Sequence, residues 1–336
     1  MLKKPEDAAR EVPRGLIRSA VLAGPCAAYA FRHGDLPNTL SDCGLSARII
    51  EEQEAVLDTD QYLEVMARIG HSGGDMFLFQ AGLNTSLDEF GLTGQAVQSA
   101  STLGEAIELT GQILGYLQSN SSIEIDYRRG RCQLRYNADF GQSGEIAPDL
   151  QYSIGVFSNL ISLAQHKYDM ELKISCPGAK NVSVEALQSS ARFQDSQTAV
   201  VEFDQRLLQS PMPKSNGDRS EVLRRFLGTH SISKASTMSL TDTVRELVEH
   251  SMGIAKPAQR LVSSMLGMGP RALQRALKQE GTSFRQIIEA SRKSIALREL
   301  RNGKSVTETA FLLGYDHPQN LTSACYRWYG RSASSL

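Results

Sequence analysis

The chain has 336 residues, of which 41% are hydrophobic and 22% are charged. This length suits two globular domains, and the composition excludes a disordered chain. The formal net charge of −1 conceals an asymmetry, since residues 253–336 carry 13 basic and 5 acidic residues and the first 252 carry 23 and 32. A basic C-terminal quarter on an acidic body indicates that only the last part meets a polyanion, with a chance imbalance as the alternative.

The cysteine, histidine and apolar patterns narrow the class of protein further. The five cysteines are scattered, odd in number and without CxxC spacing, which is typical of reduced thiols. The six histidines show no metal-ligand spacing and no catalytic motif is recognisable, so we expect neither an enzyme nor a metal or cofactor. No run approaches the ~18 apolar residues of a membrane span, so we expect a cytoplasmic protein without a membrane partner.

Helical periodicity dominates residues 46–118. One helix is predicted where apolar residues recur at helical spacing over residues 62–69, between an Asp60 N-cap and a Gly70 stop. A later helix carries an apolar stripe over residues 103–117. This stripe favours a core position over a dimerisation face, because most apolar stripes are core.

The pattern then changes to period two. Residues 121–140 predict a β-hairpin with a turn at Arg129-Gly130, and residues 170–177 and 198–204 predict two more strands after an intervening helix. Helices followed by a small antiparallel sheet predict an α+β regulatory domain over residues 1–208.

The rest of the chain predicts a connection and a helical domain. Residues 209–238 begin with a stretch rich in Pro, Ser, Gly and Asn, contain one short helix, and are predicted to be a linker. Residues 239–336 predict an all-α domain, because every periodic segment in them is helical.

Two helix-turn-helix units are predicted in this last domain. The first has a helix over about residues 257–265, a turn at Gly267 and a new helix that begins at Pro270. The second repeats this order about forty residues later, with a turn at Gly314 and a helix that begins at Pro318. We call the helices after the two prolines the first and the second reader helix.

The first reader helix predicts a surface that contacts DNA. Arg271, Gln274, Arg275 and Lys278 follow i, i+3, i+4, i+7 spacing and share one face. Arginine pairs with guanine and glutamine with adenine in the major groove, whereas a helix made only for phosphate would not need the glutamine. A solvated helix face is the alternative, and the recurrence of the same unit weakens it.

The chain from Ser239 onward resembles the DNA-binding domain of AraC/XylS-type transcription regulators. Three stretches carry the resemblance: LGMGPRALQRALKQEGTSFRQII, ALREL and SVTETAFLLGYDHPQNLTSACYRWYGRS. Two upstream stretches, FGLTGQAVQSASTLGEAIEL and FDQRLLQSPMP, are similar to the arabinose-binding-type N-terminal regulatory domain of one AraC branch. The name of that domain does not imply arabinose as the ligand here.

The resemblance implies which side chains face DNA. In the first reader helix it places Arg271, Gln274 and Arg275 at base edges and Lys278 nearer phosphate. In the second it places Gln319, Asn320 and Ser323 toward DNA. The second reader helix departs from the family pattern, because it has smaller core residues and lacks one arginine, so we expect it to bind more weakly and less specifically.

The resemblance also implies the function. We expect a bacterial, sequence-specific transcription regulator that binds double-stranded DNA, acts as a homodimer, contacts RNA polymerase and activates transcription, with a possible small-molecule effector in the N-terminal domain. Two alternatives remain open. One is a repressor of the same class, and the other is a ligand-binding or enzymatic α+β protein with an accessory nucleic-acid-binding domain.

Overall fold

A computed structural model describes residues 16–50, 55–140, 144–164, 171–179, 191–230 and 238–336. In these ranges the chain forms an N-terminal half of helices and sheet and a C-terminal half of helices alone. The predicted fold class, an α+β domain followed by an all-α domain with two helix-turn-helix units, is confirmed.

Seven helices of the described residues belong to the N-terminal half: α1 (Ala23–His33), α2 (Leu36–Asp42), α3 (Thr59–Gly73), α4 (Phe77–Asn84), α5 (Gly91–Ser99), α6 (Leu103–Leu117) and α7 (Ala147–Leu163). Helix α6 begins after Thr102, whose hydroxyl accepts a hydrogen bond from the N–H of Glu105. Its stripe residues Leu103, Ile107 and Leu114 are buried inside the chain. The stripe is therefore core, as the periodicity favoured.

Two sheets accompany these helices. A short ribbon pairs β1 (Leu16–Arg18) with β2 (Val56–Asp58). The larger sheet contains β3 (Ser121–Arg128), β4 (Arg131–Ala138), β5 (Leu172–Cys176), β6 (Ala191–Asp195) and β7 (Ala199–Asp204) in the order β3-β4-β7-β5-β6. All its neighbouring strands are antiparallel except β5 and β6, which run parallel. The hairpin predicted with a turn at Arg129-Gly130 is confirmed as β3 and β4.

Buried and partly exposed residues alternate along the central strands, so that one face of the sheet lies against the core. Cys132, Leu134 and Tyr136 of β4 are buried, and Leu134 lies opposite Val201 of β7, which is also buried. Helix α7 packs against β4, β5 and β7. The period-two pattern thus identified the residues that join the sheet to the helices.

Helix α3 differs from its predicted bounds. It begins two residues earlier, because Oδ1 of Asp58 accepts a hydrogen bond from the N–H of Gln61, 2.9 Å away, and Asp58 is therefore the N-cap. Asp60 lies in the first turn, where a negative charge favours the helix dipole. Gly70 lies inside the helix, which ends at Gly73 and is followed by Gly74 with a positive φ of 86°. Both predicted ends of this helix were wrong by a few residues.

A buried carboxyl group joins α3, β4 and α7. Asp149 is completely buried, and its two oxygens accept hydrogen bonds from the hydroxyls of Tyr62, at 2.6 Å, and Tyr136, at 3.0 Å. Burial raises the pKa of Asp149 to about 6, although the two tyrosine hydroxyls oppose this change.

The remaining helices of the described residues are α8 (Gly217–Gly228), α9 (Leu240–Ser251), α10 (Gln259–Met265), α11 (Pro270–Gln279), α12 (Phe284–Arg301), α13 (Val306–Leu312) and α14 (Pro318–Tyr329). The capping box predicted for α13 is present, since Ser305 and Glu308 exchange side-chain and backbone hydrogen bonds. Helices α11 and α14 begin at Pro270 and Pro318, as predicted for the two reader helices.

The turns before the reader helices use left-handed glycines. Gly267 has a φ of 63° and Gly314 a φ of 75°. After each glycine a backbone N–H returns to a carbonyl five residues back, Met268 to Ser263 and Tyr315 to Ala310. This closure satisfies carbonyl groups at the end of the preceding helix, and a Cβ would strain the glycine conformation.

Three further features bear on function. No helix within the described ranges is long and apolar enough to cross a membrane. The same ranges contain no group of three or more His, Cys, Asp or Glu side chains arranged to hold a metal. The five cysteines are all buried and free.

We predict that Asp149→Asn changes the pH dependence of stability. The folded pKa of Asp149 lies above its unfolded value of about 3.9, so the stabilisation by the neutral carboxyl is complete below that pH and is lost as pH rises through about 6. Relative to the parent chain, the free energy of unfolding of the variant should rise by about 2 kcal/mol between about pH 4.5 and pH 7. Urea unfolding measures this difference. Asp60→Asn is the exposed control, and a pH-independent difference for Asp149→Asn would contradict the prediction.

We predict that Gly267→Ser destabilises the C-terminal half by about 1 kcal/mol, because a side chain resists the left-handed backbone. Gly269→Ser is the matched control two residues away, since Gly269 has a φ of −75° and open space around it. The urea midpoint of the control should stay close to that of the parent chain. Equal midpoints for the two variants would refute the role of the left-handed turn.

Candidate nucleic-acid interface

The first reader helix, α11, separates an apolar face from a polar face. Leu273 and Leu277 are fully buried, and Ala272 and Ala276 are half-buried. These residues pack α11 against α9 and α10. The helix is therefore fixed to its domain by one side only, and the other side stays open.

The open side carries the four predicted contact residues. Arg271, Gln274, Arg275 and Lys278 are all exposed. None of these side chains forms a hydrogen bond or ion pair with the residues that the structure describes. By contrast, Arg225 on α8 is held by a carboxylate 2.7 Å away. Three cations and one amide thus face solvent together, and no acidic side chain in the described part of the chain pairs with them.

Both ends of α11 are tied to neighbouring helices. Gln259 of α10 donates from Nε2 to the carbonyl oxygen of Pro270, 2.9 Å away. At the other end, Glu280 accepts a hydrogen bond from the N–H of Thr241, the second residue of α9, at 2.8 Å. These contacts set the direction in which the open face points. Sequence reasoning did not identify them, because the partners are remote along the chain.

The second reader helix, α14, has the same architecture with fewer charges. Leu321 and Cys325 are fully buried. The predicted contact residues Gln319, Asn320 and Ser323 are exposed on the other side. The structure thus places all seven predicted side chains on open helix faces, and their contact with DNA stays a prediction.

The cation near the end of α14 has an internal partner. Arg327 forms an ion pair with Glu289 of α12, and the indole N–H of Trp328 donates to the same carboxylate at 2.7 Å. These contacts fasten the end of α14 to α12. The second reader helix therefore presents amides and a hydroxyl near its beginning, while its arginine contributes to packing.

Arg292 of α12 is a positioning residue that sequence reasoning missed. Its Nε donates to the carbonyl oxygen of Leu313, 3.0 Å away, and its guanidinium lies 4.5 Å from the ring centroid of Tyr315. Both partners flank Gly314, the turn that directs α14. Nothing local distinguishes Arg292 from the other basic residues of α12, because its role depends on a contact 21 residues away.

The segment between the halves contacts both of them. Helix α8 packs against α5 and α6 on one side and α9 on the other. The N–H of Asn216 donates to the carbonyl of Ser99 at 2.8 Å. Beyond α8, His230 stacks on Phe226 with ring centroids 4.4 Å apart, and its Nε2 lies 2.8 Å from Glu246 of α9. The start of the C-terminal half is thus attached to the connecting helix.

Two family models match the chain. The N-terminal domain of AraC transcription regulators, described as arabinose-binding, matches residues 34–212, which is more than half of the chain. A helix-turn-helix domain matches residues 262–336, which include both reader helices. The first match spans α2 to β7, and the second covers all seven predicted contact residues.

Several curated proteins are similar to this chain. The HTH-type transcriptional regulator VirS of Mycobacterium tuberculosis is 29% identical over 147 residues, which are 44% of this chain and 42% of VirS, so the match spans less than half of that relative. The uncharacterized HTH-type transcriptional regulator Rv1395 of the same species is 24% identical over 96% of this chain and 91% of its own length. The ornithine utilization regulator of Pseudomonas aeruginosa is 23% identical over 75% of this chain and 76% of that protein.

A solved structure, the transcriptional regulator CdpR of Pseudomonas aeruginosa, is 18% identical over 89% of this chain and 95% of that chain, with a TM-score of 0.38. The family match over residues 34–212, the helix-turn-helix match over residues 262–336 and the open reader helices are consistent with one another. This chain belongs to the AraC family of DNA-binding, helix-turn-helix transcription regulators.

Proposed function

We propose that the protein regulates transcription by placing α11 and α14 in two successive major-groove segments on one face of the duplex. The observation that carries this proposal is the set of four exposed side chains on α11 that have no partner among the described residues. Two reader helices in successive groove segments lie roughly 34 Å apart, one turn of DNA. Helix α12, with 18 residues at 1.5 Å each, is about 27 Å long and is a suitable spacer.

The four side chains of α11 have different roles in this proposal. Arg271 and Arg275 present the paired donors that match guanine, and Gln274 presents the donor and acceptor that match adenine. Lys278 lies in the last turn of α11 and contacts phosphate, which adds affinity for any sequence. Gln319, Asn320 and Ser323 of α14 contribute a second, weaker contact, because Arg327, the cation of this helix, is paired with Glu289.

We also propose a division of roles along the chain. Residues 1–208 form the regulatory and dimerisation domain, residues 209–238 connect, and residues 239–336 bind DNA. Light scattering of the full chain measures the mass directly, and a monomer at micromolar concentration, with and without DNA, would refute the dimer.

The direction of regulation is part of the proposal as well. The protein acts in the cytoplasm and activates transcription through contact with RNA polymerase. A reporter gene behind a bound site, transcribed in vitro by purified polymerase, tests this. Higher transcript levels with the protein support activation, and lower levels show that the chain is a repressor.

We predict that Arg275→Ala and Lys278→Ala weaken DNA binding differently. Arg275→Ala should cost about 1–3 kcal/mol at one base position and relax the preference there. Lys278→Ala should weaken binding to all sequences alike and reduce the salt slope by about 1. Fluorescence anisotropy at several salt concentrations, with a selected duplex and single-base variants, measures both effects. Arg48→Ala, an exposed arginine of the N-terminal half, is the control, and unchanged base preferences for Arg275→Ala would contradict the assignment.

The two reader helices are expected to differ in strength. Gln274→Ala should reduce affinity for the selected duplex more than Gln319→Ala, because only Gln274 lies between two arginines that contact bases and fix its helix in the groove. The pair is matched, since both glutamines are exposed and unbonded within the described ranges. A larger loss for Gln319→Ala in the same anisotropy titration would show that the second reader helix carries the specificity.

A further inference from the structure

A pocket lies in the N-terminal half between α5, α6 and α7. Its cavity volume is about 80 Å³, and it is partly open to solvent. Val97 of α5, Leu114 of α6 and Val156 and Phe157 of α7 line it. Small-molecule sites in proteins are mainly apolar, as the walls of this pocket are. No residue of the proposed DNA contact takes part in it.

The walls of the pocket contain no charged side chain among the described residues. Its two threonines use their hydroxyls internally, since Thr93 donates to the carbonyl of Phe90 at 2.6 Å and Thr110 to the carbonyl of Ala106 at 2.7 Å. A carboxylate or an ammonium group would lose its hydration here without gaining a partner, which costs several kcal/mol.

The polar end of the pocket is formed by Tyr62, Tyr136 and Gln118. Both tyrosine hydroxyls donate to the buried Asp149, and the amide of Gln118 donates to Tyr136. Both tyrosine hydroxyl protons are therefore engaged in hydrogen bonds, and the hydroxyl oxygen of Tyr62 can only accept a further hydrogen bond. This end suits a hydroxyl or another neutral donor on a ligand and offers no cation to an acid.

Helix α5 separates this pocket from the DNA-binding half. Thr93 and Val97 face the pocket, while Gln95 and Gln98 donate to Oδ1 of Asp88 at 2.8 and 2.7 Å. The other oxygen of Asp88 lies 3.2 Å from Nζ of Lys214, in the segment that leads to α8.

The same helix also approaches the first helix-turn-helix unit. A Cβ at Gly267 would lie 3.7 Å from Nε2 of Gln95, and α10 packs against α5. A ligand that displaces α5 would therefore move the groups that contact the turn before the first reader helix.

We propose that this pocket binds an uncharged, largely apolar effector with one hydrogen-bonding group, and that α5 transmits its binding to the DNA-binding half. The inference deepens the proposed function. Ligand binding does not depend on that function, and only the transmission to the DNA-binding half rests on it. It excludes sugars, amino acids and carboxylates as ligands of this pocket, because each brings charge or many hydroxyls into an apolar wall.

The ligand class is tested with the full chain and the neutral fluorescent probe N-phenyl-naphthylamine. The probe should brighten on binding, and decanol should displace it at concentrations about tenfold or more below those needed with decanoate, which has the same chain length. Arabinose should not displace it. Displacement by decanoate or arabinose as effective as that by decanol would overturn the proposal, as would the absence of probe binding.

A pocket-filling variant locates the binding. Val156→Trp should weaken probe binding about tenfold, whereas Val200→Trp, at a partly exposed valine of β7, should not. Thermal melting checks that both variants fold, and the comparison of decanol with decanoate on the parent chain needs no variant. Equal probe affinity in a folded Val156→Trp chain would show that the probe binds elsewhere.

The coupling is tested by anisotropy with a duplex selected by the full chain. Decanol should change the affinity for the duplex about fivefold or more in the parent chain. The Asp88→Ala variant should still bind the probe, but decanol should hardly change its affinity for the duplex. If decanol displaces the probe but leaves DNA affinity unchanged, the transmission through α5 is wrong. If the probe binds but the chain binds no duplex, the proposed function is wrong, while the proposed ligand site in the pocket is retained.

Discussion

Helix α5 is buried on every side, and the arrangement of both halves depends on this. Residues 92–99 are all buried, although four of them are polar. Such a helix is stable only when each polar group has a partner, which Asp88 and nearby carbonyls provide. Because α6, α8 and α10 pack around it, α5 belongs to the core of the N-terminal half and also contacts the C-terminal half.

The two reader helices show how a domain keeps one face rigid and another face available. Each is anchored by fully buried apolar residues, such as Leu273 and Leu321, and by polar contacts at its end. The contact residues themselves make no bonds to the residues that the structure describes, so they can exchange water for a ligand without breaking these contacts. The internal ion pair of Arg327 explains why α14 has less positive charge to offer than α11.

Much of the fold could be predicted from periodicity and capping chemistry. The β3–β4 hairpin, helix α6 and the capping box at Ser305 follow from local rules, because their hydrogen bonds join residues close in sequence. The bounds of α3 could not be predicted, since two nearby aspartates are equally good caps by sequence and only one reaches the N–H of Gln61. The β1–β2 ribbon and the parallel strand β6 were missed, because short strands acquire their stability from remote partners.

The sequence by itself determined the chemistry of the first reader helix. The spacing of Arg271, Gln274, Arg275 and Lys278 defines one face, and Gly267 and Pro270 define where the helix begins, since backbone sterics act within a few residues. Only the tertiary structure decided what supports that face and what lies behind it. Arg292, Glu280 and the apolar pocket beside α5 depend on contacts between segments far apart in the chain, and local sequence patterns carry no information about such contacts.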